Sequence, residues 1–443
     1  MVRNALRFGL GRILQLFFRR IEIVGAERVP PTGPVLFAVN HPNALIDPLL
    51  LLCYAPRPVS FLAKAPLFTM PVIGWFVRAL DSIPVYRRQD QLDVSKNRET
   101  FTRARALLER GGTIAIAPEG TSHSGPSLKP LKTGAARIAL GASPGAPVSI
   151  VPVGLFYTEK MTFRSQVLVF FGDPLQVEPA PVDRNGEPPA DRVDQVTALL
   201  EAALAAVVVQ ADAHEALELA TRTERILSAA LPDPKARSLD EIRRVRQRLV
   251  SGHRLLRERE PALLDQLVAR IGRIEAAFRA ANLDPTRPAP PKPGPMTVLR
   301  SLGWLVFRIV IFLPLALPGL VLHYPAYRLT GFLARRAVEN NDDVLATAKI
   351  VAAAILYPLT WVVAAVLVGR WLGWRPGWAT LLVAPVAGYA ALRLVERFDR
   401  FLSGTRALGF HLFAPERFRS LVRARESLRE DLLALADRLE AES

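Results

Sequence analysis

The chain has 443 residues, half of them hydrophobic, with a formal net charge of +16 and a mean hydropathy of +0.20. That length allows two or three domains at roughly 150 residues each. The single cysteine, Cys53, excludes an internal disulfide framework and fits a reducing compartment; in the apolar run Leu49 to Tyr54 it reads as a small core residue. So large a positive balance asks for a polyanionic partner. With no zinc spacing, no RNA-recognition signature and no helix-turn-helix pattern, nucleic acid is set aside, and the apolar excess in residues 303–395 favours anionic membrane lipids.

Residues 1–20 open the chain with Arg3, Arg7, Arg12, Arg19 and Arg20 among Leu6, Phe8, Leu10, Ile13, Leu14, Leu16, Phe17 and Phe18. The stretch is too polar for a signal-peptide core. It predicts an amphipathic helix, lying on a membrane with Arg at the head groups or packed on the following domain. From 21 to 178 the pattern is α/β. Apolar runs at Pro34–Val39, Val59–Leu62, Gly112–Ala117, Pro147–Leu155 and Gln166–Phe171 read as buried strands. Helices are expected at Gln91–Glu109, ended by Gly111 and Gly112, and at Lys132–Leu140. The alternation predicts a largely parallel sheet covered by helices on both faces.

A Pro-rich loop, Pro179 to Pro189, closes this domain, and residues 190–283 read as helical. Leu264, Leu267, Ile271, Ile274 and Phe278 repeat in steps of three and four, which predicts packing within a small helical hairpin. Residues 284–297 carry six prolines between Asp284 and Pro295 and read as a stiff linker. A membrane segment, 298–395, and a C-terminal helical tail, 396–443, complete the chain. Ile350–Val368 is uncharged over a length that spans a hydrocarbon core of about 30 Å. Trp378–Leu392 is shorter and uncharged, while Gly303–Leu322 carries Arg308, Pro314 and Pro318. Three crossings would put Arg328, Arg335, Arg336 and Lys349 outside, against the positive-inside tendency. A hairpin of the last two segments is therefore expected, with the first in the interface.

The chemistry-bearing segments follow the predicted strands. The first reads Asn40-His41-Pro42-Asn43-Ala44-Leu45-Ile46-Asp47-Pro48. Pro48 at the first helical position would make Asp47 an N-cap, six residues beyond His41. On residues alone this pair is open between a helix cap beside a solvated histidine and a carboxylate that fixes an imidazole tautomer for base catalysis. Further on come Gly74-Trp75-Phe76, then Ile83-Pro84-Val85-Tyr86-Arg87-Arg88-Gln89-Asp90. Ala117-Pro118-Glu119-Gly120-Thr121-Ser122-His123-Ser124 leads to Pro130-Leu131-Lys132-Thr133-Gly134-Ala135, and the last block is Val151-Pro152-Val153-Gly154. Most lie at the carboxyl ends of predicted strands, where open α/β sheets bind ligands.

In these blocks and their order, residues 21–176 resemble the glycerolipid acyltransferases of phospholipid synthesis. The resemblance implies His41 as general base and Asp47 as its orienter, with Arg87 binding an acceptor phosphate and Glu119 and Gly120 shaping its site. Thr121, Ser122, His123 and Lys132 join the expected acceptor site, and Pro152 the donor side. Most members have four residues between His and Asp and an Arg after Glu-Gly-Thr; this chain has five residues and Ser122. Both departures look like the fungal-type glycerol-3-phosphate and dihydroxyacetone-phosphate acyltransferases. The implied reaction moves an acyl group from acyl-CoA or acyl carrier protein to a glycerol phosphate, with no cofactor and no metal. Acylation of lysophosphatidate is the alternative from the same family, and a lipid-binding membrane scaffold the alternative from another class. The Arg-for-Lys and Ala-rich usage points to a bacterial inner membrane, with the catalytic domain on the cytoplasmic side.

Two further features are weighed here. Gly141-Ala142-Ser143-Pro144-Gly145 matches a serine-hydrolase elbow in letters, but it follows a helix, and Pro144 lacks the N–H an oxyanion hole needs. His123, Lys129 and Lys132 are equally compatible with a solvated loop and helix start.

Overall fold

The computed structural model describes residues 2–87, 90, 92–142, 147–160, 162–231, 237–287, 295–337 and 342–441. The chain forms two compact units. One comprises Met1–Leu217, Ser238–Gln247 and Asp342–Thr347; the other Glu218–Arg237, Arg248–Asn341 and Ala348–Ser443.

The first unit starts with α1 (Val2–Phe17) and β1 (Arg20–Val24). Leu14, Phe17 and Phe18 are buried beneath α1. Arg3 donates to the carbonyls of Val59 and Leu80, and Arg7 to those of Cys53 and Ala55. Of the two readings of this segment, these two arginines follow the one that packs it on the following domain, because carbonyls left open at element ends need donors. The outward face of α1 carries exposed Phe8, Ile13 and Leu16.

Next come β2 (Val35–Val39), α2 (Ile46–Tyr54), β3 (Ser60–Lys64), α3 (Pro71–Ala79), β4 (Ile83–Val85), α4 (Asn97–Glu109), β5 (Thr113–Ile116), α5 (Gly134–Leu140), β6 (Val148–Tyr157), β7 (Gln166–Phe171), β8 (Leu175–Val177) and α6 (Ala190–Val207). The strands make one sheet in the order β1-β7-β6-β2-β5-β3-β4, with β8 also on β6. All neighbours are parallel except β7 and β8, each antiparallel to β6. Val35 to Val39 are buried throughout, as a central parallel strand covered on both faces requires. One face packs Leu36, Ile114 and Ile150 against Ala136, Leu140 and Leu200 of α5 and α6. The five expected strands occur, and β1, β4 and β8 are additional.

α7 (His214–Ala229) and α8 (Leu239–Arg259) lead into the second unit, followed by α9 (Pro261–Ala280), α10 (Pro295–Ala337), α11 (Asp342–Leu372), α12 (Trp374–Phe413) and α13 (Pro415–Ala441). Ile271, Ile274 and Phe278 of α9 share a core with Ile226, Leu283, Phe418 and Leu428. Their partners are therefore α13 and, through Ile226, α7, rather than a single neighbouring helix of a hairpin. Leu264 and Leu267 stay half-buried. Thr347–Leu372 and Trp374–Glu396 are long and apolar enough to cross a bilayer, and they contain the two stretches expected to form the hairpin. Gly303–Leu322 is part of α10, which holds Pro314, Pro318 and Pro325 within it. α10 and α12 meet through Ala316, Ala390 and Ala391, and a Cβ on Gly319 would lie 2.2 Å from the Ala387 carbonyl oxygen. His323 is buried there; its Nδ1–H donates to Gly319 at 2.7 Å and its Nε2 accepts from Trp361 at 2.8 Å. Residues 288–294 of the expected linker lie outside the described residues.

Candidate active site

β2, β5, β3, β4 and β6 run parallel to one another, so their carboxyl ends open on one edge. His41 follows β2, Arg87 follows β4, Glu119 follows β5, and Tyr157 is the last residue of β6. Asn40 anchors this edge: its buried amide donates to the carbonyl of Leu155 and accepts the Leu155 N–H at 2.7 Å, fastening the end of β2 to β6.

α2 begins at Ile46, not Pro48, and Asp47 lies inside its first turn. The N-cap position of α2 is Leu45, without a side-chain cap hydrogen bond, a correction to the expected Asp47 cap. The Asp47 carboxylate is taken up elsewhere. Oδ2 accepts from His41 Nδ1 at 2.8 Å and from the Asn43 N–H at 2.7 Å, while Oδ1 accepts from the Tyr157 hydroxyl. The five-residue spacer folds back through Ala44, whose φ of +28° supplies the turn. A carboxylate only accepts, so Nδ1 is the donor in this pair, and in the neutral ring Nε2 is the nitrogen that holds the lone pair. The Asp47 side chain is 3 % exposed and that of His41 25 %, so the imidazole is reachable while the carboxylate behind it is sealed. Burial and the Asp47 carboxylate push the Tyr157 phenol well above its usual range, which keeps it a donor.

Glu119 is the second hub. Its Oε1 accepts the His41 N–H at 3.3 Å; its Oε2 accepts the Lys129 N–H at 2.9 Å and His123 Nε2. The Gly125 N–H donates to His123 Nδ1 at 3.0 Å, so both ring nitrogens of His123 are engaged within the protein. The His123 N–H also reaches the His41 carbonyl at 3.1 Å. His123 was expected among the acceptor ligands; with no free ring nitrogen it instead ties the loop after β5 to the loop after β2. Gly120 takes φ +75°, a left-handed turn that other residues resist, and the Lys132 stem packs over it. Thr121 Oγ1 donates to the Ser122 carbonyl. Pro152 sits within β6, paired with Ala38.

Arg87 is already paired. Nε and Nη2 form a fork on Asp90 at 2.8 and 2.9 Å, and Nη1 donates to the Gly120 carbonyl at 2.9 Å. The fork, with Lys64 nearby, holds the Asp90 carboxyl below the usual carboxylate range. Among the described residues, three of the five guanidinium N–H groups are used in these bonds. Lys160 adds a cation the sequence gave no reason to single out: its Nζ donates to the Pro42 carbonyl at 3.1 Å and to Ser124 Oγ. Ser143, Pro144 and Gly145 lie outside the described residues.

An imidazole backed by a buried carboxylate and a partly exposed guanidinium thus share one sheet edge. A family model described as Acyltransferase matches residues 20–155, and one described as Glycerol-3-phosphate acyltransferase 2 C-terminal domain matches residues 230–442. Residues 20–155 thus match the acyltransferase family, and the chain is an O-acyltransferase. This O-acyltransferase is 26 % identical to glycerol-3-phosphate O-acyltransferase 1 of Saccharomyces cerevisiae, over 98 % of the present chain and 70 % of that protein. It is 28 % identical to glycerol-3-phosphate O-acyltransferase 2 of the same yeast, over 61 % of this chain and 38 % of that one. A chloroplastic 1-acyl-sn-glycerol-3-phosphate acyltransferase of Brassica napus is 31 % identical over 35 % of this chain and 43 % of its own length.

Proposed function

We propose that this acyltransferase moves an acyl group from acyl-CoA or acyl carrier protein to a hydroxyl of glycerol-3-phosphate, and that it also accepts dihydroxyacetone phosphate. The observation that carries the reading is coverage. The yeast glycerol-3-phosphate enzyme aligns along 98 % of the chain, whereas the Brassica lysophosphatidate enzyme aligns along 35 %.

In the proposed reaction His41 Nε2 takes the proton of the acceptor hydroxyl as the oxygen attacks the thioester carbonyl. The C–O bond forms, the C–S bond breaks, and the leaving thiolate takes the proton back from the imidazolium. Asp47 stabilises that imidazolium. The remaining N–H groups of Arg87 bind the acceptor phosphate, with Lys132 beside them over Gly120. Ser122 stands in place of the family's arginine and leaves room for a bulkier or differently placed acceptor. Neither metal nor cofactor takes part in the reaction so written.

The membrane partner follows from α1. With Arg3 and Arg7 turned inward, exposed Phe8, Ile13 and Leu16 form an apolar face, and the Arg12 guanidinium lies 5.2 Å from the centre of the Phe8 ring. Apolar side chains with an arginine at their rim suit an anionic lipid surface. The bilayer itself is a separate matter: the two yeast relatives are fungal, so they lend no support to the bacterial inner membrane expected from composition.

The test offers purified protein glycerol-3-phosphate, dihydroxyacetone phosphate and lysophosphatidate in mixed micelles with labelled acyl-CoA. Glycerol-3-phosphate is expected to give the highest kcat/KM. A clear preference for lysophosphatidate overturns the acceptor assignment.

A further inference from the structure

Asp47 has two carboxylate oxygens, and the peptide around His41 satisfies only one. Oδ2 receives both His41 Nδ1 and the Asn43 N–H, whereas Oδ1 receives the hydroxyl of Tyr157, 110 residues away. Tyr157 is held from several sides. It ends β6, is paired with Val167 of β7, and its ring lies 5.9 Å from that of buried Phe18. A tyrosine at the end of a buried strand is most often a core residue with a satisfied hydroxyl. What sets this one apart is that its partner is the carboxylate bound to the proposed base.

We infer that Tyr157 is a positioning residue of this site, which through the Asp47 carboxylate sets the orientation and basicity of His41. The inference rests on the reading of His41 as base. A hydrogen bond from the phenol draws electron density from Asp47 and moderates the field it exerts on the imidazole. The Asp47 side chain is 3 % exposed, so removing the phenol leaves Oδ1 short of a donor in a place poor in water. The full negative charge then bears on His41, and the imidazolium is stabilised more than before. The other charged and titratable groups around this cluster stay in place. They are Glu119 and His123 from the loop after β5, and Lys160, whose Nζ bonds the Pro42 carbonyl.

The test is Tyr157→Phe, which keeps the ring and removes only the hydroxyl. Its kcat/KM at the pH plateau is expected to fall about tenfold, because a carboxylate released by the phenol no longer holds the imidazole in one orientation, a loss that outweighs the gain in basicity. The acid limb of the pH profile should move to higher pH by about half a unit or more, since His41 must be deprotonated to act. A loss of rate with an unmoved limb would assign Tyr157 to packing and overturn the inference, as would an unchanged rate. In an Asp47→Asn background, Tyr157→Phe should change kcat/KM by less than about twofold, because the two act through one carboxylate; full additivity would also overturn it. The base reading fails separately, through retained activity in His41→Ala, whatever Tyr157→Phe does.

Discussion

The two ends of the proposed site are built on opposite principles. Around His41 the carboxylate is sealed: Asp47 is 3 % exposed, and its donors come from a neighbouring backbone N–H, an imidazole and a phenol far away in the chain. Around Arg87 the carboxylate is local and wetter: Asp90 is three residues away and 18 % exposed. A base whose conjugate acid exists only during the reaction needs a fixed, low-dielectric counter-charge ready beforehand. A cation that binds an anionic substrate needs the reverse, a partner that keeps it in place and leaves donors free. Burial thus separates the group that must never move from the one that exchanges ligands.

The contrast breaks most decisively at the base. His41→Ala should lower kcat by about 10² to 10⁴, the range of general-base effects, and leave acceptor KM nearly unchanged. Retention of more than about a tenth of the rate, measured under saturating substrates, removes His41 from the chemistry. At the other end, Arg87→Ala should raise acceptor KM about tenfold or more while the donor's changes less than about twofold, and Arg87→Lys should recover part of it, because an ammonium lacks the planar fork. Equal effects on both substrates would give Arg87 a structural role. The smallest effect concerns Asp90. Its carboxyl is held below the ordinary range, so its contribution to stability is present above the unfolded value near 4 and is lost as pH falls through the lower folded value. Partial exposure limits that contribution to about 1 kcal/mol or less. Asp90→Asn should therefore lower Tm by at most a few degrees at pH 7, with the difference shrinking in melts taken near pH 3. A difference that persists there means that packing, and not the charge, is what the substitution disturbs.

Much of this was legible before any coordinates. β2, β5, β6 and β7 are apolar runs bounded by Gly or Pro, the signature of covered strands. β1 is hidden because charged Arg20 and Glu22 alternate with Ile21 and Ile23, and its first residue, Arg20, falls in the expected basic helix. β4 carries Pro84 at its centre and β8 has three residues, too little pattern to register. His41 and Asp47 could be named from their block, but their contact depends on the turn at Ala44, and the Pro48 signal pointed Asp47 to a cap. Tyr157 and Lys160 had no local signal. They reach the site because β6 runs beside β2, a pairing of residues more than a hundred positions apart.

The core shared by α9 and α13 constrains the path of the chain through a bilayer. Phe278 precedes both apolar stretches in sequence and Phe418 follows them, yet the two belong to one cluster. Charged pairs run across the same contact, Arg270 to Asp431 and Arg438 to Glu260, so this layer stands in water. Whatever thread is sewn between Leu283 and Phe418 must come back out on the side where it went in. Where these apolar stretches cross a bilayer, the number of crossings is then even, and the strips of chain just before and just after them share one compartment. Any odd count would pull that seam apart, exposing Ile271, Ile274, Phe278, Phe418 and Leu428 on two faces of the membrane at once.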